Sequence, residues 1–206
     1  MEKKSKFKRV PADISVSELT PLNITCSTTK CDDGLHCFRT NEKAARQYGE
    51  YNVCKECGAK LIDWQRIHQN DIKDAKFIFK SMKNELIRHV YWHTNIYDEA
   101  IEKALKLNKE KKLRAHARKM LKSKIGRLNN WDGRQTPMVG GEIVNYAQHA
   151  TATCCRKCLE YWHDIPRDTI LTEKQLDFCT DLVMLYIEER VPEIVREEGN
   201  EENEAQ

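Results

Sequence analysis

This sequence of 206 residues is notable first for what it lacks. No apolar run approaches the roughly 20 residues that carry a helix across a bilayer, which excludes a helical membrane protein. The basic opening from Met1 to Arg9 is followed by no apolar stretch. No secretory leader is therefore expected, and the expected compartment is the reducing cytoplasm. There is no phosphate-cradling glycine loop, no paired-carboxylate signature, no established nuclease motif and no internal repeat. Aromatic residues make up only 8%, against 40% hydrophobic and 33% charged, and the mean hydropathy is −0.73. A chain of this length still buries a core, in one or two domains.

Cysteine, by contrast, is abundant: there are nine, with seven histidines. In a reducing compartment such residues read as metal ligands or reactive thiols before they read as disulfides. Charge is also unevenly placed. The net is +3, but residues 103–127 carry eleven Lys and Arg against Glu110 alone, and residues 188–206 carry eight Glu against Arg190 and Arg196. The body of the chain is close to neutral, with one basic segment and an acidic tail that is expected to be disordered. The basic segment, through Lys111, Lys112, Arg114, Arg118, Lys119, Lys122, Lys124 and Arg127, can hold a polyanion by releasing counterions. The same composition also describes an ordinary solvated helix face.

Residues 1–25 read as an irregular lead-in, 26–69 as a cysteine-rich module, 70–192 as a helical domain and 193–206 as the acidic tail. Ile72, Ala75, Phe79, Met82, Leu86 and Val90 recur at helical spacing. They predict an amphipathic helix over 71–92, capped by Asn70 or Asp71. Further helices are expected over 97–108 and 110–127, and a short strand over 142–148. Another helix is expected from Thr153 to Trp162, and a last one behind a Thr172–Gln175 capping box. The fold class expected is mainly α with few short strands: a small zinc-ribbon or treble-clef-like module packed on a helical domain.

Cys54-Lys55-Glu56-Cys57-Gly58 is a zinc knuckle, in which two thiolates sit on a tight turn and Gly58 lets the backbone fold beneath the metal. Tetrahedral zinc needs two more ligands. Cys26 and Cys31 are the expected pair, with His36 or Cys37 as substitutes. Such a four-ligand site is structural, because no coordination position stays open.

A second constellation lies over 147–163. If a helix starts at Thr153, Cys154 and Cys158 share a face, Cys155 and Cys158 are one turn apart, and His149 and His163 flank them. His149, Cys155, Cys158 and His163 make a plausible second metal site, so zinc is the expected cofactor at one site and a candidate at two. His149, Cys154, Cys155 and His163 are also candidates for catalysis. A thiol in the first turn of a helix is activated by free amides and the helix dipole, and an imidazole can serve as its base. Plain packing of small buried thiols is the third alternative, and it is the expectation for Cys179.

The run Asp132-Gly133-Arg134-Gln135-Thr136-Pro137-Met138 is followed by Gln148-His149-Ala150-Thr151-Ala152-Thr153-Cys154-Cys155-Arg156-Lys157-Cys158 and by Trp162-His163-Asp164-Ile165-Pro166. Together these resemble a bacterial family of small uncharacterised proteins, a domain of unknown function, over about residues 130–190. The resemblance implies a shared fold and site but no reaction. It implies that the cysteine module at 26–62 is an addition to an autonomous core, and that 132–137 and 148–163 form one surface with Asp132, Arg134 and Gln135 as polar partners.

His89 and His93 stand four residues apart with Glu85 one turn earlier, a spacing suited to metal or acid–base work but also to the edge of an apolar face. Three functions remain open on the sequence. One is a zinc-binding protein that engages nucleic acid through 103–127. Another is a metal-dependent hydrolase using His149, Cys154, Cys155, Cys158 and His163. The third is a structural interaction protein.

Overall fold

A computed structural model describes residues 23–109, 111–128 and 136–195. Asp132, Arg134, Gln135 and nearly all of the lead-in and acidic tail lie outside the described residues. The fold is mainly α, as expected. Among the described residues there is no sheet, only two isolated bridges, Lys30 with Leu35 and His36 with Glu85. No described helix is long and apolar enough to cross a membrane.

The chain forms two units, with a division after Thr94. The first unit comprises the chain up to Thr94 together with Tyr161–His163. It holds α1 (Glu42–Tyr48), α2 (Trp64–Ile67), α3 (Ala75–Met82) and α4 (Leu86–His93). Asn41 caps α1 by accepting from the Ala44 amide, and Asp63 does the same for α2 from Arg66.

The single helix expected over 71–92 is in fact two. Asp71 caps a 3-10 turn that leads into α3, but the helix stops at Met82 and restarts at Leu86. Between them Glu85 is extended, with φ −91° and ψ 127°. The reason lies in the cysteine module. The His36 amide donates to the Asn84 carbonyl at 2.9 Å, and the Leu86 amide donates to the His36 carbonyl at 2.9 Å. Backbone groups that a continuous helix would pair internally are given to a strand-like segment from elsewhere. The apolar stripe still survives the break, since Ile78, Met82, Leu86 and Val90 are all buried.

The second unit comprises Asn95–Glu160 and the chain from Asp164 onward. It holds α5 (Asp98–Lys109), α6 (Leu113–Lys124), α7 (Ile143–Ala150), most of α8 (Arg156–His163) and α9 (Glu173–Arg190). The α9 capping box forms as the sequence predicts, with Thr172 accepting from the Gln175 amide and Gln175 accepting from the Thr172 amide. Leu176, Cys179, Val183 and Tyr186 are buried along α9, which packs on α6 and α7.

Two expectations fail here. Residues 143–150 are a helix and not a strand. Ile143, Val144, Ala147 and Ala150 recur at helical rather than alternating spacing, and every residue of α7 is buried. The helix expected from Thr153 begins later, at Arg156, with Cys155 as its N-cap. Ala152, with φ +56°, turns the chain between α7 and α8 and delays the start.

Candidate metal centres

The first centre is built from two tight turns and one helix-free strand segment. In the knuckle, the Gly58 amide donates to the Cys54 carbonyl at 2.8 Å and the Cys54 amide to the Ala59 carbonyl at 2.9 Å. Gly58 has φ +72°, and a Cβ there would stand 2.6 Å from the Tyr48 ring, whose hydroxyl donates to the Glu56 carbonyl. Upstream, Lys30 and Leu35 close a turn with paired backbone bonds, and this turn presents Cys31. The Lys55 amide donates to the Cys37 carbonyl at 2.9 Å and ties the two halves together.

One donor atom from each of Cys31, His36, Cys54 and Cys57 lies within 4.8 Å of every other. The Cys31 and Cys54 sulfurs are 3.7 Å apart, and Cys57 Sγ is 3.4 Å from His36 Nδ1. Sulfurs bound to one tetrahedral zinc at about 2.3 Å stand about 3.8 Å apart, so the spacing suits a single ion. Cys26, the partner expected for Cys31, is not in the group; the structure brings in His36 instead. Cys37 is buried with its thiol 3.4 Å from the Cys26 carbonyl, to which it donates. His36 joins the group from a backbone position bridged to Glu85.

The thiols are electrostatically unequal. Burial pushes Cys54 up, but hydrogen bonds from His36 and from the amides of Cys37, Cys57 and Glu56 outweigh it and bring the thiol down to about 6. Burial, then the Cys54 charge and contacts with Cys57, hold Cys31 well above the usual thiol range. Cys57 is raised as well, again chiefly by burial. Cys37, outside the group, is pushed up to about 12 by burial and by the Glu85 carboxylate.

The second centre lies at the start of α8. Cys154, Cys155 and Cys158 place their sulfurs within 4.8 Å of one another, all buried, and Cys154 Sγ is 3.5 Å from Cys158 Sγ. Neither histidine expected there joins them. His149 is buried in α7 with Nε2 at 3.0 Å from the Pro137 carbonyl. His163 closes α8, and its carbonyl accepts from Asn70 Nδ2 at 2.8 Å in the first unit. The Cys155 thiol is held far above its ordinary range by hydrogen bonding with Cys154 and Cys158 and by burial. Both clusters can hold a metal ion.

A family model described as a domain of unknown function, DUF4186, matches residues 76–188. The chain belongs to the DUF4186 family. The DUF4186 segment contains the second cluster but not the first, whose four residues all precede it. No solved structure matches the chain.

A buried polar group at the start of the DUF4186 segment escaped the sequence reading. Glu85 and Arg88 are fully buried, and Arg88 Nε donates to Glu85 Oε2 at 3.1 Å. The available signal was an acid and a base three residues apart on an apolar face. His89, on the same helix, is buried with its ring 4.1 Å from that of the exposed His93.

The basic residues of α6 are partly compensated. Arg114 pairs with Asp181 at 2.6 Å, Arg118 with Glu173 and Asp177, and Lys122 with Glu173 at 3.3 Å. Lys124 donates to Asn145 Oδ1 at 2.6 Å. Lys111 and Lys112 sit in the turn before α6, and Lys119 and Arg127 are exposed.

Proposed function

We propose that this DUF4186 protein is a zinc-binding protein in which Cys31, His36, Cys54 and Cys57 hold a structural ion. The observation that carries this reading is the convergence of three thiols and one imidazole, from two separate turns, on a point with single-ion spacing. Soft thiolates with an imidazole select zinc over hard cations. With four protein ligands no position is left for water or substrate, so the ion stabilises the fold and is not a Lewis acid. The first unit has reason to need it: its cysteine-rich segment includes only two short α-helices, one 3-10 turn and no sheet.

The hydrolase reading draws less support, because its imidazoles, His149 and His163, stand outside the three-thiol cluster. The nucleic-acid reading is weakened by the α9 carboxylates, which neutralise Arg114, Arg118 and Lys122.

Elemental analysis of the purified full chain and of Cys57→Ser tests the proposal. The wild type should retain zinc through extensive dialysis, and Cys57→Ser should lose one equivalent of it while Cys158→Ser does not. Equal zinc in wild type and Cys57→Ser would overturn the reading.

A further inference from the structure

The three-thiol cluster at the start of α8 lies apart from the proposed zinc site and has different chemistry. Its donors are all sulfur, and no imidazole or carboxylate among the described residues joins them within 4.8 Å. Relative exposures of 3% for Cys154, 5% for Cys155 and 1% for Cys158 close it to bulk solvent. A structural zinc takes four protein ligands, and a catalytic zinc takes three with a position open to water. This cluster matches neither, having three ligands and no wet face. The 3.5 Å between the Cys154 and Cys158 sulfurs is close enough for both to bind one ion.

We propose that Cys154, Cys155 and Cys158 form a thiolate-only site for one soft monovalent cation, copper(I), three-coordinate and without bound water. Thiolates suit Cu(I) as well as zinc, and three buried sulfurs with no fourth ligand among the described residues fit the lower coordination number of Cu(I). Each Cu–S bond replaces an S–H bond, and the proton leaves to solvent. The resulting negative charge faces the start of α8. Cys155 is the N-cap, and no side chain caps that end, so the positive end of the helix dipole lies beside the thiolates. The site would store or pass on a soft cation; it has no activated water with which to hydrolyse anything.

The test is a titration of the reduced, zinc-loaded full chain with Cu(I) under argon, against a chromophoric Cu(I) chelator. The wild type should hold one equivalent with sulfur-to-copper absorption in the near ultraviolet, and X-ray absorption should show sulfur scatterers only. Cys155→Ser and Cys158→Ser should each lose that equivalent while keeping zinc at the first cluster, which reports that the chain is folded. Cys57→Ser should lose zinc and keep the copper, so this proposal and the zinc proposal fail separately. Loss of all copper to the chelator, retention of copper by Cys158→Ser, or an oxygen or nitrogen scatterer on the bound ion would each overturn the proposal.

Discussion

The carboxylate of Glu85 takes a hydrogen bond at 2.7 Å from the hydroxyl of Tyr161, although 76 residues separate them in the sequence. Trp162 Nε1 donates to the same carboxylate at 2.8 Å, and Arg88 Nε donates at 3.1 Å. Arg88 reaches Tyr161 Oη at 3.3 Å. All of this lies within the first unit, where Trp162 also packs against Trp64 with ring centroids 5.0 Å apart. A buried carboxylate is tolerable here because its oxygens are satisfied by three donors, one of them charged.

Removing Glu85 takes away the acceptor that Tyr161, Trp162 and Arg88 share and leaves the buried guanidinium without its carboxylate. Glu85→Ala should cost about 3–5 kcal/mol of stability, the usual result of stranding a buried guanidinium. The double change Glu85→Leu, Arg88→Met removes both charges and should cost clearly less than Glu85→Ala. Urea unfolding of both variants, followed by tryptophan fluorescence, measures the comparison. A double variant that is the less stable of the two would show that the pair contributes net attraction beyond the satisfaction of its own desolvation.

Much of this architecture was legible in the sequence, and the exceptions have physical causes. Thr172 and Gln175 announced α9 because capping is local chemistry between residues three apart. The knuckle at Cys54 and Cys57 was legible for the same reason. His36 was harder to choose over Cys26: it joins the group from a backbone position bridged to Glu85, 49 positions away. That bridge also split the helix expected over 71–92, with no proline or glycine between Lys83 and Glu85 to mark the break. In α7 the helical spacing of Ile143, Ala147 and Ala150 was present, but polar Asn145, Gln148 and His149 are buried with them, which the sequence pattern does not announce. The second cluster was legible as cysteines one turn apart, but neither flanking imidazole joins the sulfurs, and that of His149 reaches the Pro137 carbonyl instead.

His89 gives the protein an acid-sensitive element. Burial, with the neighbouring His93 and Lys83 charges, depresses its pKa to about 4. An unfolded histidine takes up its proton near pH 6.5. Between these two values the unfolded chain binds more protons than the folded one, so stability rises with pH across the window and is lost on acidification. Thermal melts of wild type and His89→Leu from pH 7 to pH 4 test this. The wild-type midpoint should fall more steeply than that of the variant, a difference that cancels the acid release of zinc common to both. Parallel profiles would mean that His89 is not the group that titrates.

The basic face of α6 is the remaining matter that charge alone left open. Arg118 is held by Glu173 and Asp177 of α9, and Lys122 by Glu173. These pairs are exposed, so they contribute little to stability, yet each carboxylate cancels a charge that a phosphate would otherwise meet. Glu173→Gln, Asp177→Asn should therefore leave the melting temperature within a few degrees of wild type while delaying elution from heparin. Binding to a DNA oligonucleotide, measured at several salt concentrations, should show the slope of log K against log salt steepen by about 1–2 in the variant, one increment for each freed cation. An unchanged slope would mean that these cations were already available to a polyanion in the wild type, and would return nucleic acid to first place among the partners of this surface.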